Sequence, residues 1–545
     1  MVAVVAVVGV VGVVLATGLG AGRPAPAGAA GATTTNAAAT TAAAADPAAW
    51  PVYHHDPSGS GVAPGVTAVD TTTRAWTSPA LDGALYGEPL VASGRVYVAT
   101  ENNTVDALST ATGKVVWSTH LAAPVPASLL PCGDIQPTVG ITGTPVIDTA
   151  RDEIFAVADE LRGGRSAHVL VGLSTATGRL EMSRDVDPPG ADPAALLQRT
   201  ALNLDHGEVV FGFGGNDGDC ASYRGRVVTV AEAGGHPSFF TVDAGSGQSQ
   251  GAIWMGGAAP AVDASGNIWV EAGNGSVYSS SDPYDDSDSV LELSPSLHLE
   301  QYFAPTSWPV DNSNDLDMST EPALLGDGQV VGAGKSRIAY LLDGAALGGI
   351  GGQQAALRSI CTADVVGGSA TVGNTVYLPC LAGPVAVEVG ASPPTLRRLW
   401  SSPRGGGPPI VAAGLVWTIG QDGRLDGLDP ATGSVRRQVS IGTPANHFPT
   451  PAVGDDLLVA PSADTVVAFS ATGPGSPSPT TATPTPTTSS APSTTPSSPP
   501  STTPAVTGGD GGLPPAAVAG ITLAGLALIG GVVWAGRVQR RRRRP

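Results

Sequence analysis

The sequence predicts an all-β fold, an eight-bladed β-propeller closed by its own N-terminal strand. Three observations predict it: a Gly turn that recurs along the chain, a strand pattern repeated eight times, and a turn-dense composition. The chain has 73 Gly and 48 Pro in 545 residues, and only 13% of its residues are charged. That composition suits short strands joined by tight turns and disfavours helical bundles.

The turn appears in ALSTATGKVVW from 107, GLSTATGRLEM from 172, TVDAGSGQSQG from 241 and GLDPATGSVRR from 427. Each copy follows an apolar, β-branched run and precedes another, which makes it an internal repeat. Gly113, Gly178, Gly247 and Gly433 suit the positive-φ position that ends a tight turn, and the Asp, Ser or Thr before each can cap it. Every copy is therefore expected to be a hairpin.

The strand pattern is a small residue, Pro or Gly, then an apolar strand, a Gly turn and a second strand of V-Y-V type. It opens at GEPLVASGRVYVAT (87), GTPVIDTARDEIFAVA (143), LNLDHGEVVFGFGG (202) and APAVDASGNIWVEAG (259). It opens again at EPALLGDGQVV (321), GGSATVGNTVYLPC (367), PPIVAAGLVWTIG (408) and TPAVGDDLLVAPSADTVVAFSA (450). The eighth unit lacks a fourth strand, and VTAVDTTTRAWTSP (from 66) is a lone strand ahead of the first, so the latter is expected to complete the former. Closure of that kind leaves no sheet edge bare.

The ends read differently. Residues 1–27 are apolar up to RPAPA and fit a signal peptide, with 28–49 an Ala/Thr-rich linker. The propeller is expected over 50–470. Residues 471–513 are Pro, Ser, Thr, Gly and Ala almost throughout, a disordered stalk able to reach on the order of 100 Å. Residues 516–536 are 21 uncharged residues, long enough for a transmembrane helix, and Arg537 and Arg540 to Arg544 in the basic tail 537–545 place the C-terminus in the cytoplasm. The expectation is a single-pass protein of the cell membrane with its propeller outside. Leu513-Pro514 begins like a wall-sorting motif, but Ala516 and Ala517 replace the residues such a signal needs.

The net charge is −19, and seven of the 27 basic residues lie in the terminal segments, which leaves 20 against 46 acidic residues between 28 and 514. Such a surface repels phosphate backbones and excludes a nucleic-acid partner. Four cysteines, an even number in an exported chain, favour disulfides over metal ligation. Three pairings are open; Cys132 with Cys220 and Cys361 with Cys380 is preferred because each staples segments close in the repeat order.

The repeated turn resembles the A-x-D-x-x-T-G-x-x-x-W docking motif of propellers related to pyrroloquinoline quinone (PQQ) dehydrogenases, and WPVYHHDPSGSGVAP resembles the entry of exported PQQ-like repeat proteins. The resemblance covers roughly 50–470 and implies the fold far more than an activity. It implies that a Trp of one blade docks on the next blade's turn: Trp117, then Trp76, Trp254 and Trp400, against glycines such as Gly113, Gly178 and Gly433. Ser109 and Ser174 stand in place of the motif Asp, and Met182 in place of a Trp.

The same resemblance invites a search for chemistry. Dehydrogenases of this kind use adjacent cysteines over the quinone, a Trp beneath it, and Ca²⁺ held by Glu, Asn and Asp. No two cysteines here are adjacent, and no C-x-x-C-H offers a haem. GQSQG (247–251) matches G-x-S-x-G, yet lies on a turn rather than a nucleophile elbow, so Ser249 reads as structural. His54, His55 and Asp56 could begin a metal site but lack further ligands by spacing, and read as a polar entry segment. SSSDPYDDSDSV, with Asp282, Asp285, Asp286 and Asp288, is the most acidic stretch. After it, Asp311, Asp315 and Asp317 alternate as in a calcium loop, without its Gly or its Glu. They are the calcium candidates beside a plainer reading as a solvated rim.

The sequence thus leads to a monomeric, non-catalytic binding or scaffolding propeller, tethered outside the membrane, that contacts an envelope polymer or a surface protein. No cofactor, neither PQQ nor calcium, is expected. The alternative is an enzyme, a PQQ-dependent dehydrogenase or one acting on envelope glycans.

Overall fold

The computed structural model describes residues 49–473. The expected signal peptide, stalk, membrane span and basic tail lie outside the described residues, apart from the stalk's first three positions. Among the described residues no helix is long and apolar enough to cross a membrane.

Among the described residues eight blade sheets follow one another along the chain, with a two-stranded ribbon of Val125–Pro126 and Thr138–Val139 between the first and the second. Blade 1 shows why these residues form a blade. Leu90–Ala92, Arg95–Ala99, Thr104–Ser109 and Val115–His120 pair in order. The first three are buried nearly throughout, whereas the last alternates between exposed and half-buried, as an outer strand with one face in water should. The innermost strands of blades 2 to 8 begin at Val146, Asn203, Ala261, Ala323, Ala370, Ile410 and Ala452, each one to three residues after a unit opening read from the sequence. Blade 4 gains a fifth strand, Gly349–Ile350, laid parallel on its outer strand.

Closure is as expected. Ala68–Thr77 pairs antiparallel with Thr465–Thr472, from Ala68 opposite Thr472 to Thr77 opposite Val467, and becomes the outer strand of blade 8. The last strand runs to Thr472, a little past the boundary expected at 470.

A second closure has no counterpart in the sequence reading. Residues 50–63 travel around the ring against the inner strands, blade by blade. Val91 of blade 1 donates its amide to Trp50, Ile147 of blade 2 to Pro51, and Val262 of blade 4 to Pro57, while the Asn203 side chain of blade 3 reaches Pro57 as well. Thr371 of blade 6 donates to Ser60 and Val411 of blade 7 to Gly61. At blade 5, Gly59 packs against the Glu321 carboxylate so closely that a side chain would not fit. The inner edges of the blades would otherwise bare unpaired amides, and this strap satisfies them.

The turn at 241–251 departs from expectation. It is no blade hairpin: the corresponding turn of blade 3, into its outer strand, lies between Arg226–Ala231 and Ser238–Thr241, and Gly247 sits in the exit loop beyond with nothing near it.

Candidate functional site

The two faces of the ring are built differently. On one, the hairpins are short and receive the docking residues. The Trp76, Trp117 and Trp400 indoles donate to the carbonyls of Thr110, Thr175 and Pro430, each three residues before the glycine on which the ring lies: Gly113, Gly178 and Gly433. Each of these glycines has φ of 67–70°. Met182, which replaces a motif Trp, packs on Gly234 of blade 3 instead. Trp254 does not dock; it lies on the other face.

That other face carries the long connections between blades and both disulfides. Cys132–Cys220 joins the loop after blade 1 to blade 3, and Cys361–Cys380 ties the entry of blade 6 to its second hairpin. Both are the preferred pairs, and together they point to an extracytoplasmic compartment.

Around the axis of this face six loops bring together groups that are remote in sequence. Arg199 is 8% exposed, and its guanidinium lies 5.9 Å from the Tyr86 ring centroid and 5.6 Å from that of Phe448. Phe448 packs on Trp254 at 6.0 Å, and the Lys335 ammonium stands 5.3 Å from the Trp254 ring. Lys335 is held by Asp315 and Asp317, each at 2.7 Å. Arg199 differs: among the described residues it has neither an ion pair nor a hydrogen bond, and Gly257 leaves the space that the guanidinium fills. Burial lowers its pKa, an effect opposed by the charge of Glu101.

Acids ring this centre. Glu101 accepts from the Gly140 amide at 2.7 Å and from Thr142 at 3.1 Å, and burial pushes its pKa to about 7. Asp219, which accepts from the Tyr223 hydroxyl, is raised by burial to about 6. His447 and Asp134 approach to 3.7 Å at the rim. A shallow hollow lined by Cys132, Asp134, Leu197, Asn216 and Asp217 opens beside Arg199's loop.

The other sequence candidates fall elsewhere. Asp311 lies in a short helix, Trp308–Asn314, and accepts from Ser307, so the alternation at 311, 315 and 317 does not make a calcium loop; only Asp315 and Asp317 converge, on Lys335. Asp56 turns inward on its own segment to accept from Ser58 and Ser60. His54 is fully buried on Ser369, and desolvation lowers its pKa to about 4. Ser249 donates its amide to Ser276 and has no base beside it among its described contacts.

A quinone does not fit the arrangement that the family resemblance implies. The two disulfides link residues 88 and 19 apart, so no adjacent-cysteine clamp exists, and Trp254 is already covered by Phe448 and Lys335.

Residues 64–281 match the family model described as outer membrane protein assembly factor BamB. No curated protein matches the chain. Among solved structures the chain is similar to quinohemoprotein alcohol dehydrogenases from Pseudomonas putida and Comamonas testosteroni. The first is 15% identical over 78% of this chain and 80% of that one, with a TM-score of 0.57. The second is 16% identical over the same shares, with a TM-score of 0.56. A europium-containing methanol dehydrogenase follows at 15% identity, 76% and 90% coverage and a TM-score of 0.52. At these identities the likeness shows the fold alone.

Proposed function

From a ring of PQQ-like repeats with one loop-rich face, we propose that this chain is a non-catalytic, extracytoplasmic binding propeller. Its loop-rich face receives an anionic group of an envelope polymer or a surface protein, and the segments beyond 471 tether it to the membrane. The observation that carries this reading is Arg199. A guanidinium offers five N–H donors in a fixed fork, and among the described residues none of those of Arg199 meets an acceptor, while its nitrogens still reach solvent, so an arriving anion finds the fork free. The Tyr86 and Phe448 rings stand beside the guanidinium without taking up its N–H donors, which leaves the fork for a carboxylate or phosphate. Description of the matching family model as an assembly factor supports a scaffold over a catalyst.

Proximity labelling on intact cells, with wild type compared with Arg199→Met, tests the proposal. Loss of one charge-assisted, bidentate contact should weaken capture by roughly tenfold or more at an unchanged melting temperature. An identical set of neighbours for both proteins, or dye-linked oxidation after loading with quinone, would contradict it.

A further inference from the structure

A second group of polar side chains on the loop-rich face does not involve Arg199. Asp243 follows the outer strand of blade 3, and Asp285 lies in the connection between Ile268–Ala272 and Ser289–Leu293 of blade 4. They are 0% and 3% exposed. The Asp243 amide donates to the Asp285 carbonyl at 3.1 Å, and the two carboxyl groups stand within hydrogen-bonding reach of each other. Asp285 is partly satisfied, by the Val277 amide at 3.2 Å and the Ser287 hydroxyl at 2.6 Å. Asp243 is not: neither of its oxygens has a hydrogen-bond donor among the described residues. The nearest cation, Arg224, spends its guanidinium on the carbonyls of Gln248 and Gly245.

Two carboxylates facing each other out of water need a neutralising partner. We infer that a hard divalent cation of the calcium class binds between Asp243 and Asp285. The donors are all oxygen, which suits Ca²⁺ over softer metals. Asp286 adds negative charge nearby, and an acidic molecule concentrates cations at its surface. Among the described residues no third carboxylate closes on the pair, so carbonyls and water would complete the shell. That small charge count places the site among the weak ones, about 10⁻⁴ to 10⁻³ M, typical of modules outside the cell.

The consequence is mechanical. The cation would tie the exit of blade 3 to the loop of blade 4. That loop is already fixed by the Gly275 amide on Asn312 and by the Asn274 amide on Asp317, the partner of Lys335. One wall of the axial mouth would stiffen as a result.

Terbium reads the site directly, because it replaces Ca²⁺ and is sensitised by nearby aromatic rings. Tyr284, adjacent to Asp285, stacks on Tyr302 and stands edge-on to Trp308, both at 5.1 Å. The full chain should show terbium emission on aromatic excitation that Ca²⁺ quenches, and Ca²⁺ at millimolar levels should raise its melting temperature. Asp243→Asn and Asp285→Asn should each weaken terbium binding by about tenfold or more, while Asp282→Asn, on the exposed part of the same stretch, should leave it unchanged. Because the amide removes repulsion, Asp243→Asn should melt no lower than wild type in chelator, which separates loss of the site from loss of the fold. Emission unaltered by Asp243→Asn, or a wild-type melting temperature that Ca²⁺ does not move, would overturn the inference and leave the pair sharing a proton.

Discussion

Glu321 shows how much one side chain can set. It is 2% exposed, its two oxygens lack a donor among the described residues, and Gly59 of the strap lies directly on it. Burial, then the charges of Asp56 and Glu88, raises its pKa well above the usual carboxylate range. A carboxyl raised in this way stabilises the fold fully only below the unfolded pKa, about 4.3, and that contribution is lost as pH climbs towards the folded value. Glu321→Gln removes the titration. The urea midpoint of the variant should therefore gain on wild type steadily from about pH 5 to about pH 8, and a gap that stays constant would mean Glu321 is already ionised in the fold. The docking contacts give a second test. Trp117→Ala should cost about 3 kcal/mol, and Gly178→Ala about 2 kcal/mol or more, because the added methyl meets the indole at a positive φ. Differential scanning calorimetry of both would show it. The docking Trp and Gly positions were legible because their spacing repeats. Arg199 was not: a single Arg in a loop carries no pattern, and its meaning comes from rings contributed by residues 86 and 448.

Among the elements, the strap around the ring was invisible to periodicity for a physical reason. Its blade contacts fall at irregular intervals, on the carbonyls of Trp50, Pro51, Pro57, Ser60 and Gly61, so no alternation arises, and only its Pro and Gly content, which lets it curl, reaches the sequence. The closing strand Ala68–Thr77 was visible, since its Trp76 copies the place of Trp117. Trp254 misled for the converse reason, as the turn before it resembles a blade hairpin without being paired as one. Deleting 50–61 while keeping the closing strand should lower the melting temperature by at least about 10 °C, whereas an equal deletion from 480–500 should leave it unchanged. The disulfides should rank by loop length: breaking Cys132–Cys220, across 88 residues, should cost about 4.6 kcal/mol, and breaking Cys361–Cys380, across 19, about 3.2 kcal/mol. Urea midpoints of the two double-serine variants would give the order, and equal losses would mean strain rather than chain entropy sets their worth.

For the whole molecule, the eight-fold count and the acidic surface were both readable, because repetition and net charge are sums over many residues. The difference between the two faces was not, since it depends on which loops meet at the axis. The loop-rich face, in the proposed function, is the one that meets a partner. A photo-crosslinking amino acid placed at Asp217, on the rim of that face, and at Ala111, on a tight turn of the opposite face, tests this in intact cells with the full chain. Position 217 should give adducts that fall by roughly tenfold when Arg199→Met is added, and position 111 few. Adducts of equal yield from both positions, or adducts at 217 that are indifferent to Arg199, would contradict it.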